Sequence, residues 1–218
     1  MNVVTAEAAQ AYVDRYYLTL EALVERSGVA AARIDELAEA GCIPPHAYEV
    51  RGDVVFASAF GEHRLPSQPR RYYHHGEVEW VKKADALAQD HALAEVARIM
   101  REGFDREVED ALDGREVRWS ADRDHAWNYL MDGSWSLCLK ELSAPHLAEK
   151  EVARATIARI ANADPNHEID EGERAELEAA VAQYERVALP FAPHEVGVSS
   201  RHKEVGAAIA KYRLATDI

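Results

Sequence analysis

The sequence predicts a mainly α-helical protein with a small β component. Three observations carry that expectation. Apolar residues recur at helical spacing over most of the chain. Pro and Gly are sparse, at 8 and 11 of 218 residues, and the helical pattern breaks only between about Pro44 and Trp80. The composition, 48% apolar, is that of an ordinary globular chain, and the length suffices for a real core.

The elements follow in order. A first helix is expected from Ala6 to about Tyr16, with Ala8, Tyr12, Val13 and Tyr16 on one face. Thr19 reads as the N-cap of a second helix, with Leu20, Leu23 and Val24 as its stripe and Gly28 as a residue free to take positive φ at its end. A third runs from Ala30 to Ala40, Ile34 and Leu37 inward. Gly41 closes it and Pro44-Pro45 prevents resumption. Tyr48–Val50 and Val54–Phe56 flank Arg51-Gly52-Asp53 as a hairpin. Residues 60–79, with Pro66 and Pro69, read as a connector. A long helix is expected from about Ala84 to Leu112, with His91 on its apolar face and Gly103 as a potential split. A short strand is expected near 134–140, on the alternation of Trp135, Leu137 and Leu139. Helices follow at 143–161, at 170–187 behind an Asp170/Glu173 capping box, and at 200–213.

Residues 19–41 carry the most recognisable local pattern. Gly28 permits a tight turn, Val29 plugs the space between two helices, and Ile34 and Leu37 seat the second helix on the first. The pattern resembles the helix-turn-helix of MerR and excisionase proteins. Cys42-Ile43-Pro44-Pro45 resembles that family's exit, and the hairpin resembles its wing. The expected organisation is a winged helix-turn-helix-like module over 1–60, a connector over 61–79 and a helical domain over 80–218. The resemblance implies DNA contact through the second helix. The charge opposes it: that helix carries Asp35, Glu36 and Glu39 against Arg33. The chain has net charge −14. Nucleic-acid binding is disfavoured, and reuse of the helix pair for packing is preferred.

The connector is the mildly basic stretch. Arg64, Arg70, Arg71, Tyr72, Tyr73, His74 and His75 cluster there, a mix able to stack on rings and neutralise anions. The plainer reading is a solvated linker. His74 and His75 are adjacent, so on a strand they point to opposite faces and cannot chelate together.

Asp122, Asp124 and His125 sit beside Trp127, Asn128 and Tyr129. On a helix Asp122 and His125 share a face, and a carboxylate beside an imidazole can orient a general base. These three are the candidate catalytic residues, with a capped helix start as the plainer reading. Candidate ligand-binding residues are Arg70, Arg71, Tyr72, Tyr73, His74, His75, Trp127 and Lys140. Lys140, Lys150 and Glu151 are expected near one another, as a site edge or a surface ion-pair cluster. His146 and Glu149 form a metal half-site without a mirror half. The stretch from Asp164 fails as a calcium loop, with Ile169 at the sixth position and Ala175 at the twelfth. No metal or cofactor is expected. P-loop, Gly-x-Gly-x-x-Gly, Gly-x-Ser-x-Gly and Cys-x-x-Cys patterns do not occur. Cys42 and Cys138 read as buried small hydrophobes. Without a signal-like start or an apolar run of about 18 residues, a cytoplasmic protein with no membrane association is expected.

Trp127 to Lys140, followed by Ser143 to Glu151, resembles a bacterial family of unknown function, DUF6058, whose members are often labelled natural product biosynthesis proteins. The Tyr17-Leu18 start and the Gly41–Pro45 exit are similar to that family's first half. The resemblance implies a link to secondary metabolism and assigns no catalytic residue. The leading expectation is an accessory or biosynthetic protein that binds a small molecule or a protein partner through a cleft between the modules. The alternatives are a ligand-sensing transcriptional regulator and an enzyme using an Asp/His pair. The sequence leaves the oligomeric state open.

Overall fold

The computed structural model describes residues 6–51, 55–63, 70–120, 122, 124–161 and 168–214. The chain is mainly helical with a small antiparallel sheet. Helix α1 (Ala6–Tyr16) runs directly into strand β1 (Tyr17–Thr19). Thr19 then caps α2 (Leu20–Ser27), its Oγ1 accepting the Ala22 N–H at 3.3 Å. Gly28 ends α2 in the left-handed region at φ +74°, where a side chain would be strained. Helix α3 (Ala31–Glu39) follows, and Leu23, Ile34 and Leu37 are buried between the two helices.

Four more strands complete the sheet: β2 (Tyr48–Arg51), β3 (Val55–Ser58), β4 (Gly61–His63) and β5 (Arg70–His74). Their order is β1-β5-β2-β3-β4. The expected hairpin forms, with Val50 opposite Phe56. Its turn at 52–54, Arg64 and the connector's prolines lie outside the described residues. The stretch expected as a connector is not linker throughout. Strand β5 is interior, pairing Leu18 with Tyr73 on one side and Tyr48 with Tyr72 on the other.

The helical half differs from expectation in two places. The helix expected over 84–112 is two helices, α4 (Glu77–Leu87) and α5 (Leu93–Leu112). The break falls at the polar, exposed Gln89-Asp90-His91 and not at Gly103. Gly103 stays helical because Val96, Met100, Phe104 and Val108 bury a continuous stripe. That burial outweighs the ~1 kcal/mol that glycine costs a helix. The strand expected near 134–140 is helix α7 (Ser134–Cys138), preceded by α6 (His125–Met131). Gly133 turns at φ +83°, and Asp132 Oδ1 accepts the Ser134 N–H at 2.8 Å. All five residues of α7 are buried, so alternation there carried no information about a solvent face. Only Leu139 makes a β-bridge, to Ala188.

Helix α8 (Ala144–Ala161) lies against α5 and α9 (Glu171–Val187). Helix α9 starts with the expected Asp170/Glu173 capping box. A 3₁₀ turn (Val196–Val198), a π-helical turn (Arg201–Gly206) and α10 (Ala207–Tyr212) end the described chain. One apolar core joins Leu23, Ile34 and Leu37 to Met100, Trp127, Trp135 and Leu147. The inner face of α2–α3 is therefore closed by the later helices. A second core lies between α1 and the sheet, and a third among α8, α9 and α10.

Candidate functional site

Helix α8 is buried on most of its surface, including at two charged positions. Lys150 and Glu151 are only 2% and 1% exposed. A charge in such a place must be paired. Arg154, one turn on, donates to Glu151 at 2.8 and 3.0 Å. The same guanidinium donates to both oxygens of Glu204 at 2.9 Å. Arg118 reaches Glu204 from the other side at 2.5 Å. Lys150 Nζ lies 3.6 Å from Glu151 Oε1 and 3.1 Å from Cys138 Sγ. Glu204 sits in the π-helical turn, a helix irregularity often found at functional sites. The result is an alternating chain, Lys150, Glu151, Arg154, Glu204, Arg118.

That chain floors a cavity of about 580 Å³. Its walls are aromatic. His125 is stacked between Trp119, at 5.4 Å between ring centres, and Tyr129, at 4.1 Å. Trp135 lies under Lys150, whose Nζ is 5.0 Å from the ring centre. Trp135 is fixed by donating its indole N–H to the Ala126 carbonyl at 2.8 Å. Phe60, Phe191 and Val198 complete the rim.

The local electrostatics follow from burial. Burial pushes the Cys138 thiol up, against the pull of Lys150. Burial opposes the charge on Lys150, but Cys138 and Glu151 outweigh it and hold its pKa above the ordinary value. Burial also lowers His125, although Glu151 and Asp122 act the other way. A neutral imidazole is able to accept a proton.

The sequence-derived candidates separate in space. Asp122 and His125 both line this cavity, with Asp122 Oδ2 4.0 Å from His125 Nδ1. Asp124 is paired with Arg101 and faces a neighbouring cleft. Trp127 is buried against Trp80 and Phe104. Lys140 donates to the Glu185 and Arg186 carbonyls at 2.7 and 3.0 Å, capping the last turn of α9. It therefore does not join Lys150 and Glu151, which lie at the cavity floor.

Arg70 and Arg71 line a separate, smaller cleft with Glu21 and Glu49, and Arg71 pairs with Asp35. Tyr72 and Tyr73 are buried in β5, and the Tyr72 hydroxyl meets Gln10 and Asp14. His74 and His75 take opposite sides. His74 Nδ1 accepts the Gly76 N–H and Nε2 donates to the Leu139 carbonyl, both at 2.9 Å. His75 lies beside Arg26. His146 meets Ser143 and Glu141, while Glu149 pairs with Arg186. Among the described residues no group of three or more His, Cys, Asp or Glu side chains is arranged for a metal. No helix among them is long and apolar enough to cross a membrane.

Sequence reasoning missed Arg118, Arg154 and Glu204 altogether and misplaced Lys150 and Glu151. One signal was available. The pattern Lys150-Glu151-x-x-Arg154 interrupts the otherwise apolar inner positions Leu147, Ala148, Ala153 and Ile157.

Fold and site together define a mainly helical protein with an aromatic cavity floored by a buried ion-pair network. The chain belongs to DUF6058, a family of unknown function, whose family model matches residues 78–213. The match includes most of the cavity's residues. No curated protein and no solved structure matches the chain.

Proposed function

We propose that this protein binds a small molecule in the cavity floored by α8. The observation that supports this most is the placement of Lys150, Glu151 and Arg154 at a cavity lined by Trp119, His125, Tyr129 and Trp135. Buried charges are costly, and a packed apolar core of the same volume is often the more stable choice. Charged groups held at an aromatic concave surface are the usual makeup of a ligand site, and the volume suits a molecule of drug size. The natural product link implied by the family resemblance fits such a ligand. A cytoplasmic setting fits the reduced cysteines.

In this reading the helix-turn-helix-like pair is a packing unit within a 1–60 module. Three of its charged residues are engaged within the chain: Arg33 with Glu36 and with Asp85, and Asp35 with Arg71. That arrangement leaves little cation for phosphate. The DNA-binding regulator reading predicts retention of duplex DNA at low salt, and we expect none.

The experiment is a thermal-shift screen of a metabolite library against the wild-type protein and the lining variants His125→Ala and Tyr129→Ala. We expect hits that stabilise the wild type and lose that effect in both variants, since a ligand stabilises only the state it binds. Hits indifferent to both variants sink the proposal. The spacing of Asp122 and His125 at the cavity favours a second reading, general-base catalysis. It expects the bound molecule to be chemically altered by the wild type and left intact by His125→Ala.

A further inference from the structure

The charge bookkeeping at the cavity floor does not close. Lys150, Arg154 and Arg118 face two carboxylates, Glu151 and Glu204. Both oxygens of Glu151 and both of Glu204 accept from Arg154. Lys150 is left with a thiol, a carboxylate oxygen at 3.6 Å and the rings of Trp135 and Tyr184, 5.0 and 6.0 Å from Nζ to ring centre. An ammonium has three donors and no acceptor, and a thiol sulfur is a weak acceptor. Lys150 is thus a nearly fully buried cation, lining a cavity, whose one hydrogen bond is to sulfur and whose nearest carboxylate oxygen is beyond hydrogen-bond distance. At the rim Lys203 and Asp122 offset each other, so the excess of one positive charge remains. This local excess sits in a chain of net charge −14.

The apolar side of the cavity is equally specific. Four large hydrophobic residues are exposed among those described: Phe60, Tyr129, Val196 and Val198. Three of them line this cavity. Tyr129 ends the Trp119–His125–Tyr129 stack and is 42% exposed. Tyr129 also meets Trp135, at 5.6 Å between ring centres, and its exposed part is where a ligand ring would add a contact of the kind that contributes beyond area burial.

We propose that the cavity takes an organic monoanion built on an aromatic ring, an aryl or heteroaryl carboxylate. Its carboxylate accepts from Lys150 and its ring lies against Tyr129. This rests on the small-molecule reading above and names the ligand class for that site. A single excess cation matches one carboxylate. A phosphomonoester brings ≈ −1.5 to −2 charges and overfills it. An amine is repelled.

The test uses one ring system in three charge states: indole-3-acetate, indole-3-acetamide and tryptamine, titrated calorimetrically into the full chain. The wild type is expected to bind the acetate about tenfold or more tighter than the amide and to bind tryptamine least. Lys150→Met should weaken the acetate far more than the amide and so remove the preference. Arg118→Gln, at the more exposed end of the same ion-pair chain, removes the same excess charge while leaving Lys150 and the Arg154 pairs in place, and should reduce the preference in the same direction. Tyr129→Ala should weaken acetate and amide together. Equal binding of acetate and amide by the wild type overturns the inference, as does a preference that survives both charge variants. In either case the small-molecule reading stands if the weak binders are still lost in Tyr129→Ala. Binding of none of the three also overturns the inference, and the library screen then decides the broader reading alone.

Discussion

Charge is arranged in opposite ways in two regions of this molecule. On the α3 and β5 surface, ion pairs come in groups of two or three and are partly exposed. Arg33 meets Asp85 at 3.0 Å with 27% and 28% of the side chains exposed. Around α8, Lys150, Glu151, Arg154 and Glu204 form one linked chain, two members of which are almost without solvent. Exposed pairs contribute ~0–1 kcal/mol and arise freely on any charged surface. A buried network carries a desolvation penalty of several kcal/mol per ion, so its persistence at a concave aromatic surface needs a reason beyond packing. The difference singles out the α8 network as the candidate site, and each region can be tested on that basis.

The largest expected effect is at Arg154. Arg154→Leu leaves Glu151 buried with only the Lys150 ammonium at 3.6 Å, and Glu204 with Arg118 alone. Breaking one side of a buried pair costs about 3–5 kcal/mol. Urea denaturation should show that loss as a lowered midpoint with little change in slope. A loss under about 1 kcal/mol would place this network in the same class as the surface pairs.

The next effect is read through pH, at the junction of β5 and α4. Burial raises Glu77 well above the carboxylate range, although His74 N–H and Ser136 donate to it. The folded chain then keeps a proton that the unfolded chain releases above about pH 4.3. Glu77 therefore costs stability as pH rises from there. Burial pushes His74 down to about 4, against its bond to the Leu139 carbonyl. The folded chain stays neutral where the unfolded chain binds a proton. The His74 contribution is complete above about pH 6.5 and is lost as pH falls toward about 4. The two slopes oppose each other between these values. Glu77→Gln should remove the first and expose the second, a rise of about 3 kcal/mol between roughly pH 4 and 6.5. Above that range the wild type should lose stability with pH while the variant stays level. Parallel stability curves for the two proteins would contradict the Glu77 assignment, and a variant curve that is flat between about pH 4 and 6.5 would contradict that of His74.

These two regions also differ in how far the sequence exposed them. The Thr19 cap, the turn at Gly28, the seating of Ile34 and Leu37 and the Asp170/Glu173 box are local signals, each written within a few residues. All appear where expected. Strand β5 was hidden because its partners are the distant Leu18 and Tyr48, and nothing in its own basic, aromatic composition names them. Helix α7 was hidden because all five of its residues are buried, so the alternation of Trp135 and Leu137 marked no solvent face. The cavity floor combines residues 118, 150, 151, 154 and 204, which no spacing rule relates. Asp122 and His125 were found because they lie three residues apart. The capping box gives a calibration between the extremes: Asp170→Ala removes one satisfied N–H at the start of α9 and should cost about 1 kcal/mol, measured by thermal unfolding.

The smallest expected effect is at Arg71. Its guanidinium pairs with Asp35, with the side chains 30% and 40% exposed. The side-chain bond to Asp35 raises the arginine above its ordinary value, and burial opposes that only in part. The pair joins β5 to α3, so it links the sheet to the α2–α3 pair. Arg71→Ala should nevertheless cost no more than ~1 kcal/mol, because both groups regain water when separated. The cost should shrink further in molar salt, where charges are screened within about 3 Å. A double-mutant cycle of Arg71→Ala and Asp35→Ala isolates the pair itself. A coupling that matches the Arg154 loss, and that salt leaves untouched, would show that α3 is held by a network as closed as the one beneath the cavity. The contrast between the two regions would then lose its meaning as a guide to function.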